Sequence, residues 1–194
     1  MNHSLCSEGY GIRIRPIGIE DAQNILLLRT LPGLSRFIGE TVPDVEYQRG
    51  WIKNYLGRAD DYYFAIENSS TREFLGTISV YDIDHSIMVG EWGRWIIKPG
   101  VMAGPASVLL LLDLAFDRLQ LNEVYSRTVA SNTQVVSFHD RSCAPRSERQ
   151  FPRVRLKEGE FDLIVHEINT KTWSQIRANI ERAAKAAERF LSRS

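Results

Sequence analysis

The chain has 194 residues, with 24 basic and 24 acidic side chains and a formal net charge of zero at pH 7. This length is typical of one domain with a single substantial core. The balanced charge gives no global attraction to nucleic acid or to an anionic membrane, so we expect neither as a partner.

Cysteine and histidine are sparse and scattered. Cys6 and Cys143 do not make a disulfide framework, and the four histidines show no metal-binding spacing. The first residues lack a basic region followed by an apolar run, and the longest apolar run, Val108 to Leu112, is too short to span a bilayer. We therefore expect no metal and a cytoplasmic location.

The first half of the chain predicts a strand, two helices and a hairpin. Residues 1–10 are expected to be a loose tail, because they show no periodic pattern. Asp44 is the expected N-cap of the second helix, whose aromatic residues recur every four positions. The predicted elements are a strand at 12–15, helices at 20–29 and 45–56, and hairpin strands at 62–67 and 74–81.

The second half predicts alternating strands and helices. A glycine-containing loop at 99–106 links a strand to an apolar helix, and such a loop presents backbone N–H groups that suit a phosphate or pyrophosphate. The whole order predicts an α/β (α+β) fold, a mixed central sheet with helices on both faces. The predicted elements are strands at 87–98, 123–130 and 161–168, a helix ending near 119, and a helix carrying residues 135–139.

The C-terminal segment, residues 174–194, predicts an amphipathic helix that follows a main domain at 11–173. Arginine and lysine occupy the rest of the helix surface, and six apolar residues share one face. We expect that face to dock on its own domain or on a second subunit, which would give a homodimer. The six residues are Trp173, Ile176, Ile180, Ala184, Ala187 and Leu191.

The order of elements resembles the GNAT superfamily of acetyl-CoA-dependent N-acetyltransferases. The sequence motifs that carry the resemblance are Glu91-Trp92-Gly93, the window 101–106, and Asn132 followed seven residues later by His139. The resemblance implies a GNAT-like acyl-CoA N-acyltransferase fold. It also implies that an acetyl group moves from acetyl-CoA to a primary amine by direct attack in a ternary complex.

Three other short motifs are similar to those of GNAT enzymes that acetylate nucleotide-linked amino sugars in the pseudaminic-acid pathway. They are Arg29 in the first helix and the strand segments at 63–66 and 74–78. Ribosomal-protein N-terminal acetyltransferases share the same motifs. The resemblance therefore implies a nucleotide-linked amino sugar as acceptor, with a protein N-terminus as the alternative.

Acetyl-CoA would be held mainly by backbone groups, as the resemblance implies. The backbone of Ile96 and Ile97 would face the thioester and the pantetheine, and Asn132 would contact the pantetheine arm. The small-residue window would receive the pyrophosphate through Val101, Ala103, Gly104 and Ala106. The window lacks the leading Arg or Gln of the family, and Pro105 removes one donor. An ordinary helix start at Gly104 and a helix cap at Asn132 are the alternatives.

Two residues have predicted catalytic roles by the same resemblance. Glu91 would take the ammonium proton directly or through a water molecule, and His139 stands where the family usually has a tyrosine that protonates the leaving thiolate. A histidine donates a proton when it is cationic. The alternatives are a strand carboxylate paired with a neighbour such as Arg94 or Arg127, and a packed or solvent-facing helix residue at 139.

Acceptor binding is predicted for Arg29, Phe37, Trp51 and Trp92, although an aromatic stripe at helical spacing is also typical of a core. For a diphosphate-bearing acceptor, Arg29 would form a basic pocket with Arg36, Arg49 and Lys53. Because the sequence departs from the family motifs, a second functional class stays open. In that class, the chain is a non-catalytic acyl-CoA-binding or interaction module.

Overall fold

The computed structural model describes residues 3–191 and contains a seven-stranded sheet in the order β1-β2-β3-β4-β5-β6-β9. All neighbouring strands are antiparallel except β5 and β6, which are parallel. The predicted mixed sheet is confirmed. The strands are β1 Ser7–Gly9, β2 Ile12–Pro16, β3 Tyr62–Asn68, β4 Phe74–Asp84, β5 Val89–Ile97, β6 Glu123–Val129, β7 Val154–Leu156, β8 Gly159–Phe161 and β9 Leu163–Asn169.

Five α-helices cover the two faces of this sheet. Helix α3 continues into a π-helical turn at Leu114–Arg118, where Leu119 donates its N–H to the carbonyl of Leu114. The helices are α1 Ala22–Thr30, α2 Val45–Tyr55, α3 Gly104–Asp113, α4 Thr133–Arg141 and α5 Thr170–Leu191. Asp44 caps α2 by accepting hydrogen bonds from Glu46 and Tyr47, as predicted.

The sheet separates two apolar clusters. Helices α3 and α5 bury their side chains against one face, where Trp92 and Phe64 belong to the larger cluster. Helices α1 and α2 pack on the opposite face, where Tyr55, Tyr63 and Ile96 belong to the smaller cluster. Because side chains alternate along a strand, neighbouring residues of β5 face different helices. We call these the α3 face and the α1 face.

Strands β5 and β6 diverge soon after they meet. They pair only from Val89 to Glu91 on β5, opposite Glu123 to Tyr125 on β6. The register between β4 and β5 shifts further along β5, where Arg94 adopts a left-handed φ of 48°. A bulge increases local twist and bends its strand. It therefore turns the end of β5 away from β6 and leaves a gap between two strands of the sheet.

Two local predictions were incomplete. Within the segment expected to be loose, Ser7–Gly9 pairs with β2, while residues 1–2 lie outside the described part of the chain. The hairpin β7–β8 was missed, because three-residue strands carry too few residues to show a period. Helix α5 docks on its own domain and buries the six predicted apolar residues, with 192–194 outside the description. No helix within 3–191 is long and apolar enough to cross a membrane.

Candidate active site

The gap between β5 and β6 exposes backbone donors of β5. Lys98 donates its N–H to Leu75 on β4, and backbone amides alternate in direction along a strand. The N–H of Ile97 therefore points to the side on which β6 has diverged, whereas the N–H of Ile96 points toward β4. Of the two predicted thioester contacts, only Ile97 has a backbone donor directed into the gap.

Glu91 lies at the last paired position before this gap. Its side chain is buried, and both carboxylate oxygens have partners. Tyr81 Oη donates to Glu91 Oε1 at 2.7 Å, and Arg127 Nη2 lies 2.6 Å from Glu91 Oε2. The structure thus contains the ion pair with Arg127 that was the alternative for this carboxylate. A carboxylate has about four acceptor sites, so these two contacts leave it able to accept a further proton donor.

Arg94 connects Glu91 to an open cleft on the α1 face. Its guanidinium lies 4.2 Å from the ring centre of Tyr81, and Nη2 donates to Asp61 Oδ2 at 3.0 Å. It also lies 5.3 Å from the ring of Tyr63 and 5.9 Å from that of Trp51. Asp61 compensates the charge of Arg94, and the aromatic rings fix its position.

The cleft itself has a volume of about 320 Å³ and opens between α1, α2 and the loop that joins them. Arg29 and Trp51, two of the four predicted acceptor residues, line it together with Arg94 and Tyr63. Tyr47 and Val42 at its mouth are 61% and 45% exposed. The cleft therefore combines cationic and aromatic groups above the strand that carries Glu91.

His139 lies on the other face of β5. It is buried and stacks on His166, with ring centres 4.5 Å apart, and its ring centre is 5.2 Å from that of Trp92. Burial and the neighbouring His166 lower the pKa of His139 to about 3. The imidazole is neutral at pH 7 in this environment, so the cationic form assumed for a proton donor is disfavoured.

The loop before α3 supplies few side-chain donors. Helix α3 begins at Gly104 without a side-chain cap, so early backbone N–H groups of the helix are available to an anion. The Trp95 indole packs over this helix start. Its Nε1 donates to Ser107 Oγ at 3.1 Å, and a methyl group on Gly104 would lie 3.2 Å from Cζ2 of Trp95. The pyrophosphate window predicted at 101–106 therefore offers backbone donors and contains no arginine of its own.

Asn132 is the N-cap of α4, and its side chain accepts from the N–H of Val135 at 3.5 Å. The cap that was the alternative for Asn132 is thus present. Helix α4 ends at Arg141, and Cys143, two residues further on, has a φ of 63°, the left-handed conformation that favours glycine. The family usually has Gly-Phe at 143–144, and the backbone retains the glycine-like conformation without the glycine.

The structure does not bring the remaining predicted acceptor residues to the cleft. Trp92 is 2% exposed and lies in the core of the α3 face, and Phe37 packs beside the guanidinium of Arg36. Arg36 pairs with Glu158 at 2.9 Å, and Arg49 pairs with Glu46. The basic pocket predicted from four residues is therefore reduced to Arg29, with Arg94 as an unpredicted neighbour.

Sequence reasoning missed Tyr81 as a partner of Glu91. The signal was available, because Tyr81 and Glu91 are directly opposite each other in the hairpin of β4 and β5. Among residues 3–191, no cluster of metal-binding side chains is present.

A family model described as "Acetyltransferase (GNAT) domain" matches residues 12–142, about two thirds of the chain. The chain belongs to the GNAT family, as its sequence words implied. It is an N-acetyltransferase, and the family uses acetyl-CoA as co-substrate. No curated protein matches this sequence significantly.

Solved structures of GNAT enzymes share the fold. FdhC, described as a nucleotide-linked sugar GNAT, has a TM-score of 0.78 at 22% identity and covers 94% of this chain and 99% of its own. A GCN5-related N-acetyltransferase from Brucella melitensis has a TM-score of 0.79 at 15% identity, covering 93% and 85%. A point mutant of the Vibrio cholerae spermidine N-acetyltransferase SpeG has a TM-score of 0.73 at 13% identity, covering 85% and 97%.

Proposed function

We propose that this chain transfers an acetyl group from acetyl-CoA to the primary amine of a nucleotide-linked amino sugar. The carrying observation is the parting of β5 and β6 immediately after Glu91 and Tyr125. The gap lies between a cleft on the α1 face and the start of α3 on the opposite side of the sheet. Donor and acceptor would approach the gap from these two sides.

The donor side is formed by the N–H of Ile97 and by the backbone at Gly104 and Ala106, with Asn132 at the start of α4. These groups fit a pantetheine arm and a pyrophosphate, although the Arg or Gln usual in the family is replaced by Val101. When bound, acetyl-CoA supplies the activated acetyl group. The protein orients it through backbone donors, which lose little conformational entropy on binding because the strand and helix already fix them.

The acceptor side is the cleft lined by Arg29 and Trp51. An amine bound there is protonated in water and must lose a proton before it attacks. Glu91 receives this proton, either through a water molecule or through the hydroxyl of Tyr81, which is hydrogen-bonded to it. Tyr81 and Arg127 hold the two carboxylate oxygens in place, so the base is positioned before the substrate arrives.

Protonation of the leaving thiolate is the predicted role of His139. The neutral imidazole retains one N–H, and Ser126 Oγ lies 3.5 Å from its Nε2. Transfer of that N–H to the thiolate would leave an imidazolate, a far stronger base than a thiolate, so His139 could donate a proton only if coenzyme binding made it cationic; otherwise the proton comes from solvent. Replacement of His139 by Phe separates the two routes, because loss of turnover with unchanged coenzyme binding would support the first.

Titration calorimetry with acetyl-CoA, followed by measurement of CoA release with amines, tests this function. We expect saturable binding of acetyl-CoA and faster CoA release with a UDP-linked amino sugar than with peptides bearing a free N-terminus. Binding of acetyl-CoA without turnover of any amine would support the non-catalytic module. Faster release with peptides would favour the protein N-terminal alternative.

A further inference from the structure

Arg29 is a partly buried cation whose hydrogen-bond partners are all neutral. Its Nε donates to Thr41 Oγ1 at 3.0 Å, and Nη2 donates to the carbonyl of Gly39 at 3.2 Å. Within residues 3–191, no carboxylate forms an ion pair with it. A guanidinium has five N–H donors, so Nη1 and part of Nη2 are free to bind a ligand in the cleft.

The charge of the neighbouring Arg94, by contrast, is compensated by a carboxylate. Asp61 binds Arg94 through both terminal nitrogens, and three aromatic rings surround it. Glu40 also borders the cleft, but it is exposed and does not pair with Arg29. An exposed carboxylate is screened by water and salt. The charge of Arg29 therefore stays uncompensated inside the cleft.

An uncompensated, partly desolvated charge is costly for a protein to keep. Burial and the nearby Arg94 lower the pKa of Arg29, which reports the same unfavourable environment. An anionic group bound in the cleft would offset this cost. The planar guanidinium fork matches a carboxylate or phosphate with two parallel hydrogen bonds.

We infer that the acceptor amine carries an anionic group, phosphate or carboxylate, and that Arg29 binds this group. The inference rests on the proposed function and assigns the anionic group of its acceptor to one side chain, Arg29. A polycationic amine, as the acceptor of a spermidine N-acetyltransferase must be, would bring positive charge against Arg29 and Arg94. We therefore expect such an amine to be a poor substrate.

Matched acceptors test the inference. CoA release is measured with glucosamine, glucosamine 6-phosphate, muramic acid, a UDP-linked amino sugar and spermidine. We expect at least one anionic acceptor to exceed glucosamine in kcat/KM by roughly tenfold or more, and spermidine to be the poorest. A phosphate advantage without a carboxylate advantage would identify phosphate as the anion. Equal values for glucosamine and all anionic acceptors would overturn the inference.

Variants assign the preference to one side chain. Arg29→Met should raise KM for the preferred anionic acceptor roughly tenfold or more and leave KM for glucosamine unchanged. Thr41→Val removes one of the two loop contacts of Arg29 but keeps its charge, so the preference should survive. Arg49→Met removes an exposed, paired arginine outside the cleft and should change neither value. Equal losses for charged and neutral acceptors in Arg29→Met would show a purely structural role.

If no amine is turned over, a binding measurement still tests whether Arg29 binds an anionic group. Glucosamine 6-phosphate is titrated calorimetrically into the full chain with CoA present in excess, so that the donor site is occupied. Binding that Arg29→Met abolishes would support the anion site even though the proposed reaction had failed. Absence of binding, or equal binding by wild type and variant, would refute it.

Discussion

The two faces of β5 border the same gap but carry different kinds of side chain, charged and ion-paired on one face, aromatic and buried on the other. On the α1 face, Glu91 and Arg94 are each neutralised by a partner of opposite charge, and an open cleft lies beside them. On the α3 face, His139 and Trp92 are buried among aromatic rings, and the Nε1 of Trp92 has no hydrogen-bond partner in the described structure.

This difference matches the roles that the proposed function gives to the two sides. Binding a charged or polar acceptor and accepting its proton require charged groups that are already held in position, which the α1 face supplies. Holding a pantetheine arm requires mainly backbone donors and apolar walls, which the α3 face supplies. Loss of a side chain on the α1 face should therefore affect turnover, whereas changes on the α3 face other than at His139 should affect coenzyme binding or stability.

The largest expected effect comes from Glu91→Gln. The variant keeps the size of the side chain but cannot accept a proton at neutral pH, and a general base contributes about 10²–10⁴-fold to rate. We expect turnover to fall by about 10²-fold or more, with acetyl-CoA affinity unchanged by calorimetry. Glu8→Gln at the edge strand β1 is the matched control. Unchanged turnover in Glu91→Gln would remove this residue from proton transfer.

Gly104→Ala is the corresponding test on the donor side. The added methyl group would lie 3.2 Å from Cζ2 of Trp95 and would cover the helix start. We expect acetyl-CoA affinity to fall roughly tenfold, about 1.4 kcal/mol, with turnover at saturation unchanged. Gly50→Ala is the control, because a methyl group there meets no atom within 4 Å. Equal affinities would place the pyrophosphate away from this helix start.

His139→Phe should change the pH dependence of stability. The pKa of His139 is about 3 in the fold and near 6.5 in an unfolded chain, so the unfolded state binds more protons between these values. Stability is therefore lost as pH falls through this window, by up to about 1.4 kcal/mol per pH unit. Urea unfolding at pH 4–6 should show a shallower slope for the variant.

His166 retains part of that slope, because its own burial lowers its pKa. Gln23→Asn, at an exposed position without a titratable group, is the control and should leave the slope as in wild type. A wild-type slope in His139→Phe would mean that the imidazole is protonated, and hence solvated, in the folded protein at mildly acidic pH.

The smallest expected effect is a gain in stability from Cys143→Gly. A left-handed φ costs a non-glycine residue about 1 kcal/mol, and glycine avoids this cost. We expect a free energy of unfolding higher by about 0.5–1 kcal/mol, measured by urea denaturation, after allowance for the greater chain entropy of glycine. Cys143→Ser keeps a side chain at the strained position and should show no gain.

Much of the fold could be predicted because its longer elements have regular patterns. The apolar face of α5 and the cap of α2 were read correctly from spacing and residue type. The side chain of Arg94 could not be placed, since its contact with Asp61 depends on a bulge that no local pattern encodes. The stacking of His139 on His166 depends on tertiary packing between α4 and β9.

The candidate site could be predicted mainly where a family motif lies within a short contiguous segment. Glu91-Trp92-Gly93 placed a carboxylate beside the gap, but its partners come from β4 and β6. Trp92 was misassigned to acceptor binding because its side chain points to the α3 face, opposite to Glu91. Strand alternation alone predicts that neighbours in β5 face different sides, although it does not say which side holds the acceptor.

The most direct test of the account is the initial rate of CoA release with acetyl-CoA and the best amine acceptor both varied. If the two substrates meet through the gap between β5 and β6, attack occurs in a ternary complex and the double-reciprocal lines should intersect. Parallel lines would indicate that CoA leaves before the amine binds, as in a covalent acetyl-enzyme. That result would contradict direct attack and would indicate a covalent nucleophile, for which the exposed Cys143 would be a candidate.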